Sequence, residues 1–156
     1  MRAGPFDRYF PSMATYRTVV ESPQSPEQAF DYLANFENVT KWDENTVSSD
    51  CLGDEPYQAG ARYRVVTTFG SRTMTLTYET VEFERPSRVV FRSATGIATI
   101  EDTITVTPDG EGSQVEYVAE IGLKGIARLL DPVFALIFRQ VGDRAAKGLR
   151  AALGAG

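Results

Sequence analysis

The chain has 156 residues, of which 42% are hydrophobic and 11% aromatic, so it has enough apolar material for one domain with a buried core. Its formal net charge is −5, and its basic residues form no cluster apart from a scattered set near the C-terminus. Binding of nucleic acid or of an anionic membrane surface by charge is therefore not expected. The absence of histidine and the single cysteine exclude Ser–His–Asp and Cys–His catalysis, His-ligated metals, structural zinc sites and intrachain disulfides.

Residues 1–13 (MRAGPFDRYFPSM) have no regular hydrophobic period. We predict an irregular leader here, followed by a single domain over residues 14–156, with Met13 as an alternative start. In a second interpretation, Phe6, Tyr9 and Phe10 dock on the domain surface. The sequence lacks both a signal-peptide pattern and the roughly 20 apolar residues of a membrane span, and its single cysteine fits a cytoplasmic protein.

The first elements are a strand and two short helices. Residues 14–21 are rich in β-branched side chains and predict a strand. Ser25 and Gln28 have the spacing of a capping box, and Pro26 lies at the first helical position, where no backbone N–H is needed. A second short helical turn follows and ends near Trp42.

After Trp42 the hydrophobic period changes from 3.6 to 2, which indicates strands. Six strands are predicted, at residues 46–52, 62–69, 72–84, 88–93, 98–107 and 113–121. Along the third of these, the apolar phase changes between Tyr78 and Val81, which predicts a β-bulge near Glu79 and Thr80.

A long helix ends the pattern. Asp131 and Pro132 are a favourable cap and first-turn pair, so the helix is predicted over residues 132–152, about 31 Å at 1.5 Å per residue. Its predicted apolar stripe comprises Val133, Phe134, Ile137, Val141 and Ala145. This order predicts an α+β domain in which the helix covers the apolar face of a curved, seven-stranded antiparallel sheet.

Four segments carry a family resemblance: SPEQAFDYLANFENVTKWDE, YETVEFERPSRVVFRS, DTITVTPDGEGSQVEYVAEI and LLDPVFALIFRQVGDRAAKGLRAAL. They resemble the START-like (SRPBCC, helix-grip) superfamily, in particular its bacterial polyketide cyclase/dehydrase branch, over about residues 14–153. The resemblance implies a cavity between the sheet and the last helix. The superfamily includes lipid carriers, aromatase/cyclases, hormone receptors, oxygenase subunits and chaperone activators. The histidine ligands of the oxygenase branch are missing, so that branch is excluded and no cofactor or metal is expected.

Three tyrosines, Tyr63, Tyr78 and Tyr117, fall on the apolar phases of different strands. A phenol on a cavity wall offers apolar surface and one hydrogen-bond donor, which suits a lipid, a sterol or a polyketide with few oxygens. The alternative is a set of core tyrosines with satisfied hydroxyls.

Asp102 shares the apolar phase of its strand and is a candidate general acid or base, because an inward carboxylate has a raised pKa or a charged partner. Its alternative is a strand-edge position in water. Arg144, at the edge of the helix stripe, is the candidate counterion, or it extends to solvent.

The remaining candidates lie on helices. By resemblance, Trp42 borders the cavity entrance, although a packing role is the alternative. The full predicted ligand-binding set is Trp42, Tyr63, Val65, Tyr78, Asp102, Tyr117, Phe134 and Phe138. Leu129 and Leu136 point away from the main stripe and mark either a membrane-touching or dimer surface, or two ordinary exposed leucines.

These observations favour a protein that binds a small hydrophobic ligand (lipid-, sterol- or polyketide-like) in an internal cavity. The first alternative is a cyclase or dehydratase acting on a polyketide-like substrate, with Asp102 and Arg144 as its charged groups. The second is a protein-interaction module of the chaperone-activator type. The expected partners are the ligand, at most a transient membrane contact, and no nucleic acid, with the chain a monomer or homodimer.

Overall fold

The computed structural model describes residues 13–123 and 131–154. The elements are β1 Met13–Ser22, α1 Pro26–Ala34, a 3₁₀ turn Phe36–Asn38, α2 Val39–Trp42, β2 Thr46–Cys51, β3 Arg62–Phe69, β4 Arg72–Glu84, β5 Arg88–Ala94, β6 Ala98–Asp109, β7 Gly112–Leu123 and α3 Asp131–Ala152. Met13 belongs to β1 rather than to the predicted leader. The other leader residues, with Phe6, Tyr9 and Phe10, and Leu129 lie outside the described residues.

The seven strands form one sheet in the order β1-β7-β6-β5-β4-β3-β2. Every neighbouring pair is antiparallel, which confirms the predicted α+β helix-grip architecture. The β4–β5 register shifts between Thr80 and Glu82, so the predicted bulge is present, with Val81 as the extra residue. Within the described ranges, no helix has the length and hydrophobicity that crossing a membrane requires.

The α1 helix begins with the predicted capping box. The backbone N–H of Gln28 donates to the Ser25 hydroxyl at 3.2 Å, and that of Ser25 donates to Gln28 Oε1 at 3.1 Å. The 3₁₀ turn then places the Phe36 ring 5.1 Å from Tyr78 and 4.2 Å from Phe91, measured between ring centroids. The turn therefore closes part of the inner face of the sheet with aromatic rings.

Hydrogen bonds with β1 and with the loop after α2 hold α3 and the residue just after it to the rest of the domain. The Tyr16 hydroxyl donates to Asp143 at 2.8 Å, and the Ser22 hydroxyl donates to the Leu153 carbonyl at 2.8 Å. The side-chain amide of Asn45 donates to the Val141 carbonyl at 2.9 Å. These bonds lie between Val141 and Leu153, so the C-terminal half of the helix is fixed relative to β1 and to the loop after α2.

The buried side of α3 differs in part from its prediction. Phe138, Ala145, Leu149 and Leu153 are buried, whereas Val133 is 65% exposed. Val133 precedes Phe138 by five residues, which turns it about 140° around the helix and away from the sheet. Leu136 is also exposed, at 59%.

Gly148 brings α3 and α2 into backbone contact. A Cβ atom at this position would lie 1.7 Å from the Trp42 carbonyl oxygen, which is part of the backbone and cannot swing aside. The position of Trp42 at the end of α2 therefore depends on a residue without a side chain in α3.

We expect Gly148→Ala to lower the free energy of unfolding by about 1–3 kcal/mol, the range for overpacking, although alanine is the better helix former. Denaturant titration measures the change. Gly96→Ala is the control, because a Cβ atom there meets nothing within 4 Å. A Gly148→Ala protein as stable as the wild type would contradict the close contact of α2 with α3.

Candidate functional site

A row of paired residues crosses the inner face of the sheet. Thr80 pairs with Phe91, Phe91 with Asp102, Asp102 with Ala119, and Ala119 with Tyr16. Directly paired residues point to the same side of a sheet, and Phe91 packs against Phe36 on the inner side. Asp102 therefore lies on the inner face among largely apolar neighbours, and the alternative of a strand-edge Asp in water does not hold.

Asp102 is buried, with 7% of the residue exposed, and the pKa of its carboxyl group is raised to about 7. Burial is the main cause, since it penalises the charged form, and the nearby carboxylate of Asp43 adds to the shift. A hydrogen bond from the Tyr117 hydroxyl acts in the opposite direction. A carboxyl group with this pKa can both accept and donate a proton near neutral pH.

Tyr78 and Tyr117 lie beside this carboxyl group. Burial raises the pKa of both phenols well above the usual value, and the negative charges of Asp102 and Asp43 raise it further. The Trp42 ring meets Tyr117 edge-on, with 5.6 Å between ring centroids. Both phenols therefore lie close enough to the two carboxyl groups to interact with their charges.

The predicted ligand-binding residues differ slightly in the fraction of their surface that remains exposed. Tyr78, Asp102 and Tyr117 each keep 7% exposure, whereas Tyr63 keeps none. The Tyr63 hydroxyl accepts a hydrogen bond from the Tyr57 backbone at 3.1 Å, as a satisfied core tyrosine would. Tyr63 and Val65 thus belong to the packed core, in the same cluster as Tyr78 and Tyr117.

The two predicted phenylalanines of α3 pack over the end of β3. The ring of Phe134 stacks on Phe69 at 5.1 Å and lies parallel to Phe138 at 6.1 Å. Arg144, in contrast, is exposed, and no salt bridge joins it to Asp102. It precedes the buried Ala145 by one residue, a turn of about 100° around the helix. The structure does not support the predicted counterion role.

Asp43 is the site residue that sequence reasoning missed. Its Oδ1 atom accepts hydrogen bonds from the backbone and the side chain of Asn45 at 2.9 and 2.7 Å, and its Oδ2 atom accepts one from the Thr46 hydroxyl at 3.1 Å. Burial raises the pKa of Asp43, while these bonds lower it. The available signal was the D-x-N-T sequence, in which an aspartate caps its own turn.

Residues 13–154 match the model of a family described as polyketide cyclase / dehydrase and lipid transport. The chain belongs to this family, which confirms the START-like resemblance. The family description names two kinds of function, a polyketide cyclase or dehydrase and lipid transport. A search of curated proteins found no match.

Three solved structures show the same fold. A START superfamily protein from Mycobacterium smegmatis has a TM-score of 0.74 at 12% identity, covering 90% of this chain and 97% of its own. The aromatase/cyclase ZhuI from Streptomyces has a TM-score of 0.73 at 15% identity, and the match covers 92% of this chain and 93% of ZhuI. A Thermus thermophilus protein has a TM-score of 0.73 at 20% identity, and the match covers 92% of this chain and 98% of the Thermus protein. At these identities the similarity concerns the fold.

The raised pKa of Asp102 predicts a dependence of stability on pH. The folded state holds the Asp102 proton up to about pH 7, whereas the unfolded chain releases it near pH 3.8. This contribution is complete at low pH and is lost as the pH rises through 7, because the unfolded state then binds fewer protons than the folded state. Asparagine cannot ionise and does not show this loss. The free energy of unfolding of Asp102→Asn should therefore rise relative to that of the wild type between pH 4 and 8.

We expect that gain to reach a few kcal/mol, at about 1.4 kcal/mol per pKa unit. Denaturant unfolding of both proteins across this pH range measures it. Asp109→Asn, which removes an equal charge from an exposed hairpin turn, is the control. A difference between Asp102→Asn and the wild type that stays constant with pH would contradict the proposed burial of this acid.

Proposed function

We propose that this protein binds a small hydrophobic ligand in a cavity between the sheet and α3, with the polar end of the ligand against Asp102. One observation carries the proposal. A carboxyl group and two phenols are buried close together on a mostly apolar inner face, at Asp102, Tyr78 and Tyr117. Ligand sites in proteins have this character, with apolar walls and a few polar groups that fix orientation.

The surrounding wall is apolar and aromatic. It comprises Phe36, Trp42, Val89, Phe91, Ile104, Ala119 and Phe138. We expect a cavity of roughly 300–1,000 Å³, the usual range for small-molecule sites. A lipid-, sterol- or polyketide-like molecule with one polar end fits such a wall, and the family description includes both polyketide chemistry and lipid transport.

A fluorescent hydrophobic probe tests the proposal. N-phenyl-1-naphthylamine should bind saturably with one site per chain. Ala119→Phe should weaken this binding at least about tenfold, because the new ring lies directly opposite Asp102 and takes the ligand's space. The control is Val118→Phe, one residue earlier on β7 and on the opposite side of the sheet.

Circular dichroism spectra and unfolding curves establish that both variants fold. Equal probe binding by the folded Ala119→Phe protein and the wild type, or no saturable binding by the wild type, would overturn the proposal.

The pKa of Asp102 favours a second candidate, an acid–base enzyme of the cyclase or dehydratase type. Asp102 could remove a proton from the carbon next to a ketone, while the Tyr78 hydroxyl donates a hydrogen bond to the carbonyl oxygen. The proton would remain on Asp102 until a later protonation step returns it. This role requires no metal and no histidine.

Conversion of a poly-β-ketone thioester, followed by absorbance, tests the enzyme candidate. Asp102→Asn should reduce kcat by about 10²–10⁴-fold, a larger factor than that by which it weakens N-phenyl-1-naphthylamine binding. Val118→Phe is again the control. Equal turnover by Asp102→Asn and the wild type would exclude Asp102 as the acid or base.

A further inference from the structure

The polar end of the site has no basic residue within residues 13–123 and 131–154. Every lysine and arginine of these ranges is exposed or half-buried. The half-buried arginines of β5 alternate with Phe91 and point to the outer face, where Arg88 pairs with Glu82 and Arg92 with Glu101. Asp102 on the inner face and Asp43 in the loop after α2 are close enough for their charges to interact, so the charged groups at this end of the site are acidic.

Around Asn45, which contacts Asp43, hydrogen-bond acceptors outnumber donors. Its Nδ2 atom donates to Asp43 Oδ1 at 2.7 Å and to the Val141 carbonyl at 2.9 Å. Both partners are acceptors, which fixes the orientation of the amide. Its Oδ1 atom is then a buried acceptor without a donor in the described structure.

Ser93 gives an independent observation on the sheet itself. Its hydroxyl is buried and has no partner in the described structure, and the residue is only 2% exposed. Ser93 follows Phe91 by two residues, so it shares the inner face and lies diagonal to Asp102, at a distance of about 7–8 Å in a regular sheet. A polar side chain left unpaired beside a buried acid marks a place for a ligand group.

We propose that the polar end of the ligand is a protonated amine, held against Asp102 with the Ser93 hydroxyl and the rings of Tyr78 and Tyr117 around it. This inference rests on the proposed function and names its ligand class, a hydrophobic ammonium compound. An ammonium group has up to three N–H donors and a positive charge, which match the surplus of acceptors and the two carboxyl groups.

The aromatic surroundings support a cation in the same place. The rings of Trp42, Tyr78 and Tyr117 lie around the site, and ring faces attract ammonium groups more strongly when water is excluded. A fatty acid would bring a third negative charge to this group, with no described base to balance it. An alcohol would supply one donor and no charge, so its interaction with Asp102 is weaker.

Three ligands with the same ten-carbon chain test the proposal: decylammonium, decanol and decanoate. Trp42 is the only tryptophan of the chain and touches Tyr117, so its fluorescence reports directly on the site. At pH 7.5 we expect decylammonium to bind at least about tenfold more tightly than decanol, as one hydrogen bond to a charged group would give, and decanoate to bind most weakly.

In Asp102→Asn, decylammonium and decanol should bind within about threefold of each other, because the charge that distinguishes between them is removed. Asp109→Asn should keep the wild-type preference. Decanol equal to decylammonium in the wild type, tighter binding of decanoate, or an unchanged preference in folded Asp102→Asn would each overturn the ammonium assignment and leave the proposed function standing. No binding of any of the three would instead contradict the proposed function, and this comparison in the wild type does not depend on whether the variant folds.

Discussion

The inner face of the sheet has to be covered, and this constraint decides the rest of the structure. The sheet is open and seven-stranded, and the long α3 is the element placed across it. Bonds from Tyr16, Ser22 and Asn45 hold α3 at separate points along its length, and Gly148 lets it meet the backbone of Trp42. A helix held by hydrogen bonds along its C-terminal half can cross the sheet without filling all of the space beneath it, and this makes the proposed cavity compatible with a stable fold.

The packing of the core does not explain why an aspartate occupies position 102. A buried carboxyl group with a pKa near 7 lowers stability at neutral pH, and an apolar residue of similar size would remove that cost. Around it, the hydroxyls of Ser93 and Thr80 and the Oδ1 atom of Asn45 are buried without partners in the described structure. Unpaired polar groups are common at functional sites, where a ligand satisfies them. The same argument links the proposed hydrophobic cavity to a ligand with hydrogen-bond donors.

The sequence predicted most of the fold, because antiparallel strands with one covered face have a period of 2 and capped helices have local signals. The Ser25 and Gln28 capping box and the bulge near Thr80 were both predicted in this way. The site was predicted less completely. The phase of Asp102 was visible in β6, but its neighbour Asp43 comes from a loop distant in sequence, and only tertiary packing brings the two charges together. Arg144 failed as a counterion because one residue along a helix turns a side chain by about 100°.

A crystal structure of the protein with N-phenyl-1-naphthylamine bound tests the central claim most directly. The account predicts electron density for the ligand between α3 and the sheet, with its amine about 3 Å from the Asp102 carboxyl group and its rings against Phe91 and Phe138. A ligand found on the outer surface would contradict this account. So would an inner face on which Tyr78, Tyr117 and Phe138 interdigitate and leave no space between the helix and the sheet.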